Sequence, residues 1–191
     1  KKKVNIKNKK ITKGNLYITG KIGSAIVFAA IEKKIINGIY SQEVVAEMIK
    51  SNYEIFKIFN KFNLQYVTDI SGFGLAIHAY NLILRHDNLT GLEIYLKKIP
   101  LYKGAEVALK KNVKSSLNDS NKDYIIDNLK VEFNKINIEI FNCLFDPQTG
   151  GGFLFILNKA NNRVLYELDK KKISYSCIGK VCNLNKKIKI I

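Results

Sequence analysis

Three consecutive glycines, Gly150–Gly152, stand directly before the apolar run Phe153–Leu157. Each glycine loses more backbone entropy on folding than any other residue, so a triplet at the mouth of a buried strand does not serve stability. It requires a place where backbone lies against a ligand or another backbone, closer than a Cβ would permit. Asp146-Pro147-Gln148-Thr149, just ahead, keeps a simpler option open. That option is a tight turn between two strands, with Asp146 hydrogen-bonded to its own loop.

A second loop, TDISGFG over Thr68–Gly74, follows the strand-like run Leu64–Ile70 and leads into an apolar helix carrying Leu75, Ile77, Ala79, Leu82, Ile83 and Leu84. Glycines there let amide N–H groups approach an anion, and a helix N-terminus favours negative charge. A carboxylate beside such a cradle, Asp69, is placed to hold a Mg²⁺ that bridges phosphates. The plainer alternative has Asp69 capping the helix and the glycines allowing close packing. A lone Gly-X-Gly does not choose between them.

Elsewhere the chain alternates between the two periodicities. Leu16–Thr19 reads as a strand, Gly20–Gly23 as a turn and Ser24–Lys34 as a helix. Ser41 is placed as the N-cap of one long helix to about Asn60, with Val44, Val45, Met48, Ile49, Ile55, Phe56 and Phe59 at helical spacing. Gly91–Ile99 alternates as a strand ended by Pro100, and Gly104–Lys111 is a short helix. A helix near Lys122–Leu129 and a strand at about Ile136–Leu144 precede the glycine triplet. Phe153–Leu157 is a buried strand, Ala160–Asp169 a helix and Ile173–Val181 the final strand. This predicts a mixed α+β sandwich, with helices packed on a mixed sheet. A basic tail over residues 1–14 precedes a single domain over 15–191, long enough for a proper core.

The net charge of +16 points to nucleic acid less than it first suggests. The sequence has 30 Lys but only 2 Arg, beside 28 Ile and 21 Asn, the residues of A/T-rich codons. Nucleic-acid readers lean on Arg for bidentate and stacking contacts, so no nucleic-acid partner is expected. A hydrophobic fraction of 47% excludes disorder, and 12 Gly with 2 Pro exclude a collagen-like filament. The longest uncharged apolar stretch near the start, Ile22–Ile31, is about half the ~20 residues of a membrane span. Three cysteines without a CxxC pair fit a reducing compartment, so a cytoplasmic location is expected. The basic start and IGSAIVFAA faintly suggest a signal peptide, but NLYIT intervenes and no Met begins the chain. The expectation is a piece of a longer protein.

The two loops together resemble a known family. TDISGFGLAIHA is similar to the selenophosphate synthetase motif TD, Val or Ile, Thr or Ser, GFG and LLGH. FDPQTGGGFLFIL is similar to that family's DPQT, Ser or Ala, and GGLL. Weaker echoes keep the same order: LYITGKIGSA resembles LTKPLGTG, AEMIKSN the helix before the first motif, IPLYKGA the IPLL-x-GA segment, and IGKV the closing IG-x-V strand. VKSSLNDSN looks like the branch with an RSSL-x-x-x-N loop, which often follows an oxidoreductase domain.

The resemblance implies the carboxy-terminal domain of the two-domain fold shared with aminoimidazole ribonucleotide synthetase. In that family ATP and Mg²⁺ bind between the domains, and selenide, ATP and water give selenophosphate, AMP and phosphate. It implies Asp69 as a metal ligand, and Thr68, Gly72, Gly74, Gln148, Thr149, Gly151 and Gly152 as nucleotide- and phosphate-binding residues. No catalytic residue is expected here, because the family's catalytic Cys or selenocysteine and its Lys lie on the amino-terminal domain. ATP and selenide would therefore reach the chain through that domain, in a homodimer. Gly20, Lys21 and Ala25 depart from LTKPLGTG, Ala76-Ile77 from Leu-Gly, and Gly150 from Ser or Ala. These departures keep two alternatives open: a degenerate dimerisation or regulatory domain, or another kinase of the superfamily. His78 reads as a buried, hydrogen-bonded core residue, and Asn121 either as the family's Asn after the variable loop or as a helix N-cap. The lysine clusters at both ends read as solvated.

Overall fold

The computed structural model describes residues 13–86, 90–158 and 162–191. The expected basic tail, up to residue 12, lies outside the described residues, as do part of the loop after His86 and the start of the expected helix at Ala160. In chain order the elements are β1 (Asn15–Thr19), α1 (Ser24–Glu32), α2 (Ser41–Met48), α3 (Tyr53–Lys61), β2 (Val67–Asp69) and α4 (Gly74–Arg85). There follow β3 (Gly91–Ile94), α5 (Lys103–Leu109), α6 (Asn118–Ile125), β4 (Leu129–Val131) and α7 (Ile138–Cys143). The last are β5 (Phe153–Leu157), α8 (Arg163–Lys170), β6 (Tyr175–Val181) and β7 (Lys187–Ile190).

The strands form one seven-stranded sheet in the order β2-β5-β1-β6-β3-β7-β4. Pairing is antiparallel from β2 to β3 and parallel where β7 joins β3 and β4, so the sheet is mixed as expected. Strand alternation sends Leu16 and Ile18 of β1, and Leu154 and Ile156 of β5, into the main core with α1, α4, α5 and α7. Tyr17, Phe155 and Leu157 face the other way, onto Ile55, Ile58 and Phe59 of α3 and Val164 and Leu168 of α8. Two apolar layers therefore clamp the half of the sheet that carries both glycine loops.

Several expectations change, among them the strand expected over Gly91–Ile99, which ends at Ile94. The single helix from Ser41 to Asn60 is two helices, because Val44 belongs to the main core while Ile55, Ile58 and Phe59 belong to the opposite one. A continuous helix could not serve both faces; the break leaves Ile49 and Phe56 exposed. The expected strand over Ile136–Leu144 is α7, started by the Asn137 side chain, which accepts from the Ile140 amide at 2.9 Å. The helix expected from Lys122 begins at Asn118, and Leu129–Val131 forms edge strand β4. The carboxy-terminal lysine cluster does not lie free in solvent. Lys187–Ile190 threads between β3 and β4, burying Ile188 and Ile190.

Candidate functional site

β2 pairs with β5 through Thr68↔Leu154 and Asp69↔Phe153, which brings the two glycine loops together at one end of the sheet. The Ile70 amide donates to the Gly152 carbonyl at 2.9 Å, and the Gln148 amide to the Ser71 carbonyl at 3.1 Å. The triplet lies against the chain's own backbone. A Cβ on Gly152 would overlap the Thr19 carbonyl, one on Gly151 the Ile70 carbonyl, and one on Gly150, at φ +60, would sit 2.9 Å from Met48 Cα. Of the two options in the sequence, another backbone accounts for these glycines.

The DPQT segment closes the N-terminus of α1. Gln148 Oε1 accepts from the amides of Gly23 and Ser24 at 2.9 and 3.2 Å, and Asp146 Oδ2 accepts from the Ile26 amide at 3.3 Å. Gln148 Nε2 donates to the Asp146 carbonyl and to its Oδ2, so the glutamine amide is saturated by the protein. The Thr149 amide donates to Ser24 Oγ. A helix start that lacks a local cap is thus capped from more than 120 residues away. Burial pushes the Asp146 carboxyl up to about 7, against the opposing pull of the Ile26 amide and Gln148. Its Oδ1 and Ser115 Oγ are both buried without a hydrogen-bond partner.

The TDISGFG loop is pinned at Ser71, Gly72 and Gly74. The Ser71 amide donates to His78 Nε2 at 3.0 Å, and the Gly74 amide to the Ser71 carbonyl. Asn121 Nδ2 donates to the carbonyls of Gly72 and Phe145 at 3.0 and 2.9 Å. Gly74 sits at φ +76, where a Cβ would meet the Phe145 and Leu144 carbonyl groups. The Ala76 amide is already taken by the Leu144 carbonyl, so the first turn of α4 is partly satisfied by protein. Burial lowers the His78 pKa against the field of Asp69, with Arg85 adding to the lowering. His78 is a core residue, as read from the sequence, and its neutral Nε2 is an acceptor that holds the loop.

Asn121 lies inside α6, so it is not the N-cap. It is a clamp across both loops, a role that only its side-chain contacts reveal. Ser71 gives no signal in the sequence, since its part is played by its backbone groups together with a hydroxyl 3.1 Å from His78 Nε2.

Among the expected phosphate-binding residues, Thr68, Gly74 and Gln148 are buried, and Gly151 and Gly152 are half-buried. Gly72 and Thr149 are exposed, and a Cβ at Gly72 would meet open space. Asp69 is exposed at the end of the edge strand, and its carboxylate has no hydrogen-bond or ion-pair partner among the described residues. No side chain caps α4, so the plainer role for Asp69 is not the one it has. A lone carboxylate on a rigid loop is the donor type a hard cation takes, since Mg²⁺ is held by one or two carboxylates with phosphates and water. Among the described residues no group of three or more His, Cys, Asp or Glu could hold a metal, so Asp69 could supply one ligand of a shared site.

No family model matches the sequence. It is 30% identical to a selenide, water dikinase of Clostridioides difficile over 139 residues, 73% of this chain and 39% of that protein. Against selenide, water dikinase 2 of Peptoclostridium acidaminophilum it is 31% identical over 150 residues, 78% of this chain and 42% of that protein. The chain thus spans about two fifths of the length of these curated relatives. AaThiL in complex with AMPPCP and TMP superposes with a TM-score of 0.61 at 16% identity, over 94% of this chain and 48% of that one. E. coli HypE, a hydrogenase maturation protein, gives 0.61 at 11%, over 93% and 46%. At these identities the structural likenesses speak for the fold alone.

Proposed function

This chain is a relative of the selenide, water dikinases with the aminoimidazole ribonucleotide synthetase-type carboxy-terminal fold, and on that footing we propose that it forms the carboxy-terminal half of an ATP-dependent phosphotransferase making selenophosphate. One observation carries the reading: an exposed, unpartnered Asp69 carboxylate on a loop fixed by His78, Asn121 and the DPQT segment. Holding a charged group without reorganisation is what a phosphoryl-transfer site requires, because catalysis there is mostly positioning and neutralisation of phosphate charge.

Asp69 would supply one oxygen ligand to Mg²⁺, and the metal, when bound, would neutralise the phosphates of ATP. The chain's own residues keep that carboxylate in place. The Ser71 amide is held by His78, the Gly72 carbonyl by Asn121, and the Ile70 amide by Gly152. Exposed Gly72 leaves room for a phosphate to approach. The remaining metal ligands and the catalytic Cys or selenocysteine with its Lys would belong to an amino-terminal half, with ATP and the selenide that accepts the phosphoryl group bound between the two. A homodimer completes the proposed assembly.

The test is Asp69→Asn in the full-length protein. Asn keeps the shape but lacks the full charge a hard cation needs, so Mg²⁺-dependent ATP consumption should fall at least about tenfold with an unaltered melt. The 191-residue chain alone should form no AMP from ATP and selenide. Unchanged activity in Asp69→Asn, or turnover by the isolated chain, would remove the reading.

A further inference from the structure

A cavity of about 290 Å³ opens at the same end of the sheet, and Asp69 is not part of its walls. Its walls are the turn after β1, the break between α2 and α3, the backbone of Gly150 and Gly152, and the segment that joins α8 to β6. Four lysines line it, Lys21, Lys50, Lys171 and Lys172, against the carboxylates of Glu47 and Glu54.

Those carboxylates are already matched. Glu47 pairs with Lys50 at 2.6 Å, and Glu54 pairs with both Lys171 at 3.2 Å and Lys57 at 2.5 Å. Lys21 is held by Glu43, which stands behind it at 2.5 Å. Lys172 has no ion pair among the described residues. The lining residues alone therefore carry an excess of two positive charges, four lysines against two carboxylates.

A second observation comes from Tyr102. It lines the cavity with a side chain only 3% exposed, and its hydroxyl, which is not sealed from solvent, has no hydrogen-bond partner among the described residues. Such a tip is free to donate to a group that enters the cavity. Burial, with the fields of Glu47 and Glu43, pushes its pKa to about 12, so at neutral pH it remains a donor. Across the cavity Gly20, at φ +70, has open space where a side chain would stand.

We propose that this cavity binds a phosphate group, with Lys172 and the Tyr102 hydroxyl as its principal contacts. The ligand chemistry is a small phosphate dianion, supplied either as inorganic phosphate or pyrophosphate or as the phosphate end of a nucleotide. Unpaired cationic charge beside a protein donor is the arrangement that recognises such a group. The volume, at the lower limit for ligand pockets, suits a small anion. The site stands on these residues alone, whether or not Asp69 holds a metal.

The test is titration of the chain with phosphate, pyrophosphate and AMP, each against sodium chloride of equal ionic strength. Binding is followed by amide NMR and by thermal melting. Saturable shifts should centre on Gly20, Gly150 and Gly152, with a rise in Tm that chloride does not produce. Preference for phosphate or pyrophosphate over AMP identifies the inorganic source, and the reverse identifies a nucleotide. Tyr102→Phe removes only a hydroxyl that hydrogen-bonds to no described protein group, and Lys172→Asn suits the φ of +56 at that position. Each should weaken binding at least about threefold without changing the ligand-free melt, whereas Asp69→Asn should leave the titration as it is. Shifts that chloride reproduces, or affinity that survives both substitutions, would overturn the proposal.

Discussion

Asp146 is fully buried, and its Oδ1 and the neighbouring Ser115 hydroxyl both lack a partner. Burial pushes its pKa from 3.8 up to about 7, so the folded chain holds the proton more tightly than the unfolded chain does. Stability from this group is therefore complete below about pH 4 and is lost as pH rises towards 7, at about 1.4 kcal/mol per unit, or roughly 4 kcal/mol in all. Asp146→Asn should abolish that slope. Its Oδ1 can accept from the Ile26 amide, and its NH₂ turns towards Ser115. In urea titrations the variant should match the parent near pH 4 and exceed it at pH 8. A parallel decline in both proteins between pH 4 and 7 would show that Asp146 is ionised throughout.

At the scale of the element, α1 shows how a helix can owe its beginning to a distant loop. Gly23, its N-cap residue, lies at φ +103 and offers no side chain to the first turn. Gln148 replaces it, bonding two amides that no water reaches in its stead. Gln148→Ala leaves both as buried orphans at about 1–3 kcal/mol each and opens a small void. A loss of about 3 kcal/mol or more is expected in denaturant. Hydrogen exchange should quicken first in the opening turn of α1, whose amides the Gln148 side chain holds. Exchange that quickens evenly over the chain would argue against a local capping role. The glycine triplet belongs to the same scale, since each of its members makes room for a neighbouring element and not for a side chain of its own.

For the molecule as a whole, the last strand is decisive. β7 is the only ladder partner of β4 among the described strands, and it also covers β3. Leu96 and Ile191 extend this seam, the Leu96 amide donating to the Ile191 carbonyl at 2.8 Å. Ile188→Ala, at a fully buried position, should cost about 2–5 kcal/mol, while Lys189→Ala, half-buried beside it, should cost less than about 1 kcal/mol. Removing residues 185–191 should abolish the cooperative unfolding transition. A truncated chain that still melted sharply would mean that the sheet is complete without β7.

Local pattern is enough for the mixed α+β class, the strands at Leu16–Thr19 and Phe153–Leu157, the helix after Gly74 and the pairing of two loops as the place of interest. Those features depend on local periodicity and on glycines whose backbone geometry no other residue can adopt. Short apolar runs were not decided locally. Ile136–Leu144 fits a strand as well as a helix until Asn137 is seen to cap it, and KIKI alternates like a strand inside a stretch whose charge suggests solvent. The split of the Ser41–Asn60 helix was equally hidden, because both halves are amphipathic and only the sheet between them separates their cores. Which motif residues face inward depends on contacts between elements distant in the chain. Gln148 and Asp146 read the same whether they meet a ligand or an amide of the chain's own, and only the approach of α1 turned them into its cap and left Asp69 free.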